Sequence, residues 1–131
     1  MILNKDQILE ANDLKTETVD VLEWGGSVLV RSLTGTDRDA FEASMITVSP
    51  DGTRKPNMSN MRAKLVALTV VDEAGRLVFD VSDVDRLARK SAAALERVFM
   101  AAQRINGIGV EAQEDIAKNS NAGLSASSTS V

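Results

Sequence analysis

The chain has 131 residues, of which 44% are hydrophobic, and its 15 basic and 19 acidic side chains give a formal net charge of −4. This length suits one domain with a single core, and the acidic balance argues against a nucleic-acid backbone as the main partner, because such affinity comes from clustered Lys and Arg. The sequence contains no Cys and no His, which excludes disulfides, thiol catalysis and Ser–His catalysis and argues against a zinc site.

The N-terminal part of the chain is predicted to form a short helix followed by a β-hairpin. Residues 4–11 form the helix, which starts at the potential N-cap Asn4 and is too short to be stable unless it docks. The hydrophobic period then changes to two over residues 15–33, where β-branched residues flank the pair Gly25-Gly26. Because glycine tolerates positive φ, an antiparallel hairpin is predicted here, and it needs a helix against one face.

The middle of the chain is predicted to be helical. A helix capped by Thr36 runs up to an exposed, mobile loop at residues 48–57, which contains a Pro-Asp-Gly turn signal. A third helix is predicted over residues 57–71, with Asn57 as a plausible cap, and a short helix begins at residues 82–85.

Residues 91–107 form the clearest helix in the sequence. Ser91 can cap its start, and Gly107 can end it by adopting the left-handed conformation. The spacing of three and four residues predicts an apolar stripe consisting of Leu95, Val98, Phe99, Ala102 and Ile105. Because this stripe has to be buried, we expect Leu95, Val98 and Phe99 to share a core with Leu65 and Leu68 of the preceding helix.

These elements predict an α+β fold in which the N-terminal antiparallel β-hairpin packs against a bundle of three to five helices. Residues 1–118 are expected to be a single domain. Residues 119–131 are expected to be a flexible tail, because a Ser-rich composition with one Leu cannot offset the entropy of ordering.

Three residues that follow the predicted helix at residues 91–107 are candidates for partner binding. Ile108, Val110 and Ile116 follow the Gly107 stop and have no clear core stripe to join. The alternative, that they dock back onto the domain, is equally consistent with the sequence.

No stretch of the sequence carries a catalytic, metal-binding or nucleotide-binding pattern, so we expect a protein that is not an enzyme and needs no cofactor. Asp80, Asp83 and Asp85 lack the central glycine and the distal Glu of a Ca²⁺ loop, which favours helix capping over a cation site. No apolar run approaches the roughly 18 residues of a membrane span, so no membrane partner is expected.

Trp24 and three methionines are each open to a binding and a packing interpretation. The indole of Trp24 is either an exposed partner anchor or a ring packed over the hairpin end, and we favour packing. Met58, Met61 and Met100 could form an adaptable binding surface, but core filling is favoured for them as well.

Three blocks of the sequence resemble the tail assembly chaperones of long-tailed bacteriophages, especially those of actinobacterial phages and prophages. The first is EWGG to VRSLTG (residues 23–35), which leads into DAFE (39–42). The second is RAKLVALTVVD (62–72), and the third is ARKSAAALERVF continuing to AQRING (88–107). The blocks consist mostly of structural residues, and they occur in the order expected of that family.

The resemblance implies a non-enzymatic protein that binds the long, helical tape measure protein and keeps it soluble during tail assembly. It places the protein in the host cytoplasm and not in the finished virion. Such chaperones are often made in two lengths by programmed frameshifting, so a longer form and self-association are further partner hypotheses. The alternatives are a structural virion component, such as a head–tail connector or minor tail protein, and a small protein-binding regulatory protein.

Overall fold

The structure, a computed structural model, describes residues 1–108, which form five helices and five strands. The helices are α1 (Lys5–Glu10), α2 (Gly35–Ser44), α3 (Met61–Thr69), α4 (Val84–Leu87) and α5 (Ala92–Asn106). The strands are β1 (Thr16–Val21), β2 (Gly26–Arg31), β3 (Ile46–Val48), β4 (Arg54–Pro56) and β5 (Val70–Val71). The predicted α+β class is confirmed. The predicted end of the domain at residue 118 and the predicted tail at residues 119–131 lie outside the described residues.

The predicted N-terminal hairpin is confirmed, and it belongs to a three-stranded antiparallel sheet with the order β1-β2-β5. The register of the hairpin pairs Thr16 with Arg31 and Val21 with Gly26. A 3-10 turn at Leu22–Trp24 joins the two strands, and Gly25 ends that turn with a φ of +79°, which a residue with a Cβ rarely adopts. Because β1 comes first in the strand order and pairs only with β2 among the described strands, it is one edge of the sheet.

The core lies between this sheet and the helices α3 and α5. Val21 and Val30 of the sheet are fully buried, as are Leu65 and Val66 of α3. Helix α5 contributes the predicted stripe, in which Leu95, Val98, Phe99 and Ala102 are buried and Ile105 packs against them partly buried. The prediction that this stripe shares a core with Leu65 and the partly buried Leu68 is confirmed.

Both predicted ends of α5 are confirmed. The Ser91 side chain accepts a hydrogen bond from the Ala94 N–H at 3.2 Å, which caps the first turn. Gly107 ends the helix with a φ of +63°.

Two predicted helix caps are wrong. Thr34, not Thr36, caps α2, because the Asp37 N–H, three residues further along the chain, donates to the Thr34 hydroxyl at 3.1 Å. Asn57 does not cap α3; its side chain accepts from the Ser59 N–H at 3.1 Å in the turn that precedes the helix.

The predicted loop at residues 48–57 is instead part of a second hairpin, in which β3 pairs with β4 and every strand residue is exposed. The predicted turn is present, since the Gly52 N–H donates to the Ser49 carbonyl at 2.8 Å with Gly52 at a φ of +87°. The third helix is also shorter than predicted. Val70 and Val71 leave it to form β5, because β-branched residues lose little in a strand and here pair with β2.

Candidate partner-binding site

A groove of about 610 Å³ runs between the edge strand β1 and helix α5. One wall is the outward face of α5, on which spacings of three and four residues align Ala93, Arg97, Met100 and Arg104. The other wall is formed by β1 residues 17–20. We call this feature the β1–α5 groove. It exists because α5 buries its opposite face in the core and meets the sheet at an edge strand.

Met100 is the large exposed apolar side chain on the α5 wall of this groove. Half of its surface is exposed, at 50%, although both sequence neighbours, Phe99 and Ala101, are buried. The core-filling interpretation is therefore correct for Met61, which packs against the core, and wrong for Met100 and for Met58, which is 57% exposed.

Ion pairs hold the charged side chains along the α5 wall of the β1–α5 groove. Arg97 donates two hydrogen bonds to the carboxylate of Glu23, at 2.5 and 2.8 Å, and Arg104 donates to Glu17. The hydrogen bonds from Arg97 lower the pKa of Glu23 from 4.5 to about 2, and the same pairing raises the pKa of Arg97. Both guanidinium groups therefore have carboxylate partners within the protein, and the apolar surface of Met100 lies between them on the same wall.

A second depression, of about 500 Å³, lies beside Trp24 beyond the tip of the β1–β2 hairpin. It is lined by Trp24, Val78, Phe79, Asp83, Arg86, Leu87 and Lys90, and we call it the Trp24 depression. Trp24 packs against the core partly buried, which confirms the packing interpretation of this residue. Its indole Nε1 is buried and has no hydrogen-bond acceptor among the described residues.

The structure places one of the three predicted partner-binding residues. Ile108 is partly buried and packs against the core, and its N–H donates to the Gln103 carbonyl at 2.9 Å. Val110 and Ile116 lie outside the described residues. The end of α5 is also tied to the hairpin, because the Asn106 side chain accepts from the Leu33 N–H at 2.6 Å.

Two of the three acidic residues considered for a cation site, Asp80 and Asp83, serve as caps, whereas Asp85 accepts a hydrogen bond from the Asn60 side chain at 3.4 Å. Asp80 accepts a hydrogen bond from the Ser82 N–H at 2.8 Å, and Asp83 accepts from the Asp80 N–H at 3.0 Å, which together start the 3-10 turn before α4. Over residues 1–108 no three acidic side chains converge to hold a metal ion. Within the same range no helix has the length and apolarity that crossing a bilayer requires.

Sequence reasoning missed the β1–α5 groove as a site. The signal was present in the outward face of α5, where Met100 lies three residues after Arg97 and four before Arg104. It was not decisive, because the sequence does not show which element faces that side of the helix.

Comparison with known proteins gives one family and one fold. The family described as phage tail assembly chaperone matches residues 4–119 of this chain. Among solved structures, the chain is similar to the tail assembly chaperone of bacteriophage HK97, with a TM-score of 0.54 and 19% sequence identity, over 76% of this chain and 94% of that one. At this identity the structural match establishes the fold alone. The search of curated proteins finds no match.

Proposed function

Because the chain belongs to the phage tail assembly chaperone family, we propose that it binds the tape measure protein and keeps that protein soluble while the tail is assembled. The family is one of non-catalytic chaperones. On this proposal the protein acts in the host cytoplasm and is absent from the finished virion.

The observation that carries the proposal is the exposed apolar surface of the β1–α5 groove. The outward face of α5 from Ala93 to Arg104 is about 16 Å long, which matches about three turns of a partner helix. A groove that offers apolar surface between charged walls suits an amphipathic helix laid along it. We therefore assign the tape measure contact to this groove, with Met100 at its centre.

The predicted residues beyond α5 extend this assignment. Ile108 packs in part against the core, as the docking-back alternative predicts for it, so we propose that the part of its side chain left uncovered, with Val110 and Ile116, adds apolar contact to the same partner. A frameshifted longer form would share the groove and add residues after the point where the reading frames diverge. Each single contact is expected to be weak, and several copies on one long partner would supply the affinity.

The test is co-expression of this chain with the tape measure protein encoded beside it, with Met100→Asp as the groove variant. Met58→Asp is the matched control, because Met58 is exposed to a similar degree and lies outside the groove. We expect wild type and the control to raise the soluble fraction of the tape measure protein and to co-purify with it. Met100→Asp should weaken binding by about tenfold or more, because a carboxylate replaces an apolar contact.

Two outcomes would contradict the proposal. If Met100→Asp and Met58→Asp bind equally well, the groove is not the contact surface. If the chain has no effect on the tape measure protein and is found stoichiometrically in finished particles, it is a structural virion component instead.

A further inference from the structure

The two ends of the β1–α5 groove differ in charge. At one end lies Arg104, whose side chain is 63% exposed, against 43% for Arg97 on the same wall. Towards the other end lies Asp20, an exposed carboxylate of strand β1 that forms no ion pair with any residue from 1 to 108. The groove therefore presents a cation at one end and an anion towards the other.

The two arginines of the α5 wall differ in the hydrogen bonds that they have left to give. Arg97 donates through both of its Nη groups to the two carboxylate oxygens of Glu23, which is the bidentate arrangement. Arg104 donates to Glu17 through Nη2 alone, so its Nε and Nη1 donors have no acceptor among residues 1–108. A second carboxylate can therefore bind Arg104 without displacing Glu17.

Asp20 is held in place but keeps an acceptor free. Its Oδ1 accepts a hydrogen bond from the Ser27 hydroxyl at 2.6 Å, whereas its Oδ2 has no donor among residues 1–108. Asp20 lies three residues along β1 from Glu17, the partner of Arg104, which is about 10 Å in a strand. The free anionic and cationic groups are thus about two helical turns apart.

These charges select the direction of a partner helix. Helices are stabilised by Asp or Glu in the first turn and by Lys or Arg in the last, because the termini carry partial positive and negative charges. A partner helix antiparallel to α5 would place its acidic first turn at Arg104, in the last turn of α5, and its basic last turn at Asp20. A parallel helix would bring like charges together at both ends.

We propose that the β1–α5 groove binds its partner helix antiparallel to α5 and selects three positions on one face of it. The first is an Asp or Glu at Arg104, the second an apolar residue three or four positions later against Met100, and the third a Lys or Arg seven positions after the acid, at Asp20. This inference rests on the proposed function, in which the partner is the tape measure protein, and it adds the direction and the pattern of the helix that binds.

The experiment uses the shortest tape measure fragment that binds wild type and loses affinity for Met100→Asp. Arg104→Glu should weaken binding of this fragment by about tenfold, and Asp20→Asn by about threefold. Arg76→Glu is the matched control for Arg104→Glu. Arg76 is also exposed, at 81%, also gives up an ion pair, with Asp72 at 3.6 Å, and lies outside the groove, so we expect this variant to bind like wild type.

A charge reversal on the partner separates a direct contact from a structural effect of Arg104. Replacing the acidic residue of the fragment by Arg should weaken its binding to wild type by about tenfold and should restore most of its binding to Arg104→Glu. A loss of structure in Arg104→Glu could not be repaired by a change in the partner. Circular dichroism of the variants should match wild type, because both substituted side chains are exposed.

Cross-linking tests the direction of the helix. The chain contains no Cys, so Ala93→Cys, which lies on the α5 wall at the end away from Arg104, supplies a single thiol. We expect it to form a disulfide with a Cys at the C-terminal end of the fragment and not with one at the N-terminal end.

Three results would overturn the inference while leaving the groove as the contact surface. They are preferential cross-linking of the N-terminal Cys, equal binding of Arg104→Glu and Arg76→Glu, and no rescue by the reversed fragment. If no tape measure fragment depends on Met100, the proposed contact itself fails, and this inference fails with it.

Discussion

Replacing Phe99 by Ala should destabilise the protein more than any surface change on the same helix. The ring is 4% exposed and sits in the core that α3 and α5 share, with the Arg62 guanidinium 5.5 Å from the ring centroid. Removing a buried Phe costs about 3–5 kcal/mol, and the loss of the cation–π contact adds about 0.5–1 kcal/mol at an exposed site. Against a typical stability of about 5–15 kcal/mol, the variant loses a large part of its margin.

The assay is urea denaturation of the full chain, and the matched control is Met100→Ala. Met100 is the next residue along α5 and is 50% exposed. Ala is the best helix former, so neither substitution carries a propensity penalty. We expect the control to change the free energy of unfolding by no more than about 0.5 kcal/mol. A loss below about 1 kcal/mol for Phe99→Ala, or equal losses for the two variants, would mean that the stripe is not enclosed as described.

Three further predictions concern a hydrogen bond and an ion pair of α5 and the expectation that the protein requires no ligand. Asn106→Ala removes the acceptor of the Leu33 N–H, which lies 2.6 Å from it, and urea denaturation should show that the free energy of unfolding falls by about 1–3 kcal/mol. An unchanged midpoint would show that this hydrogen bond does not form. The pKa of Glu23 is lowered from 4.5 to about 2 by Arg97. As the pH falls, the Glu23 carboxylate is therefore protonated in the unfolded chain before it is protonated in the folded one. The stability from this pair is therefore complete above about pH 4.5 and is lost as the pH falls towards 2. Arg97→Gln should flatten that part of the pH profile, and identical profiles would contradict the pairing. Thermal melts with EDTA, Ca²⁺, Mg²⁺ or ATP should superimpose, and a shift of several degrees with one of them would reveal a binding site.

Helix α5 could be predicted from the sequence because every signal that defines it is local. Ser91 and Gly107 mark its ends, and the residues that it buries recur every three or four positions. The short strand β5 could not be predicted in the same way. Val70 and Val71 continue the apolar pattern of α3, and only pairing with Leu29 and Val30, about forty residues earlier, makes them a strand.

The binding surfaces were less predictable than the fold, for a related reason. A groove requires two elements, and the sequence shows the outward face of α5 without showing that β1 lies opposite it. The N-terminal helix, observed as α1, was expected to dock or fray, since a helix this short does not persist alone. The structure shows that the core of residues 15–108 does not cover it, and this result comes from tertiary packing that no local pattern encodes.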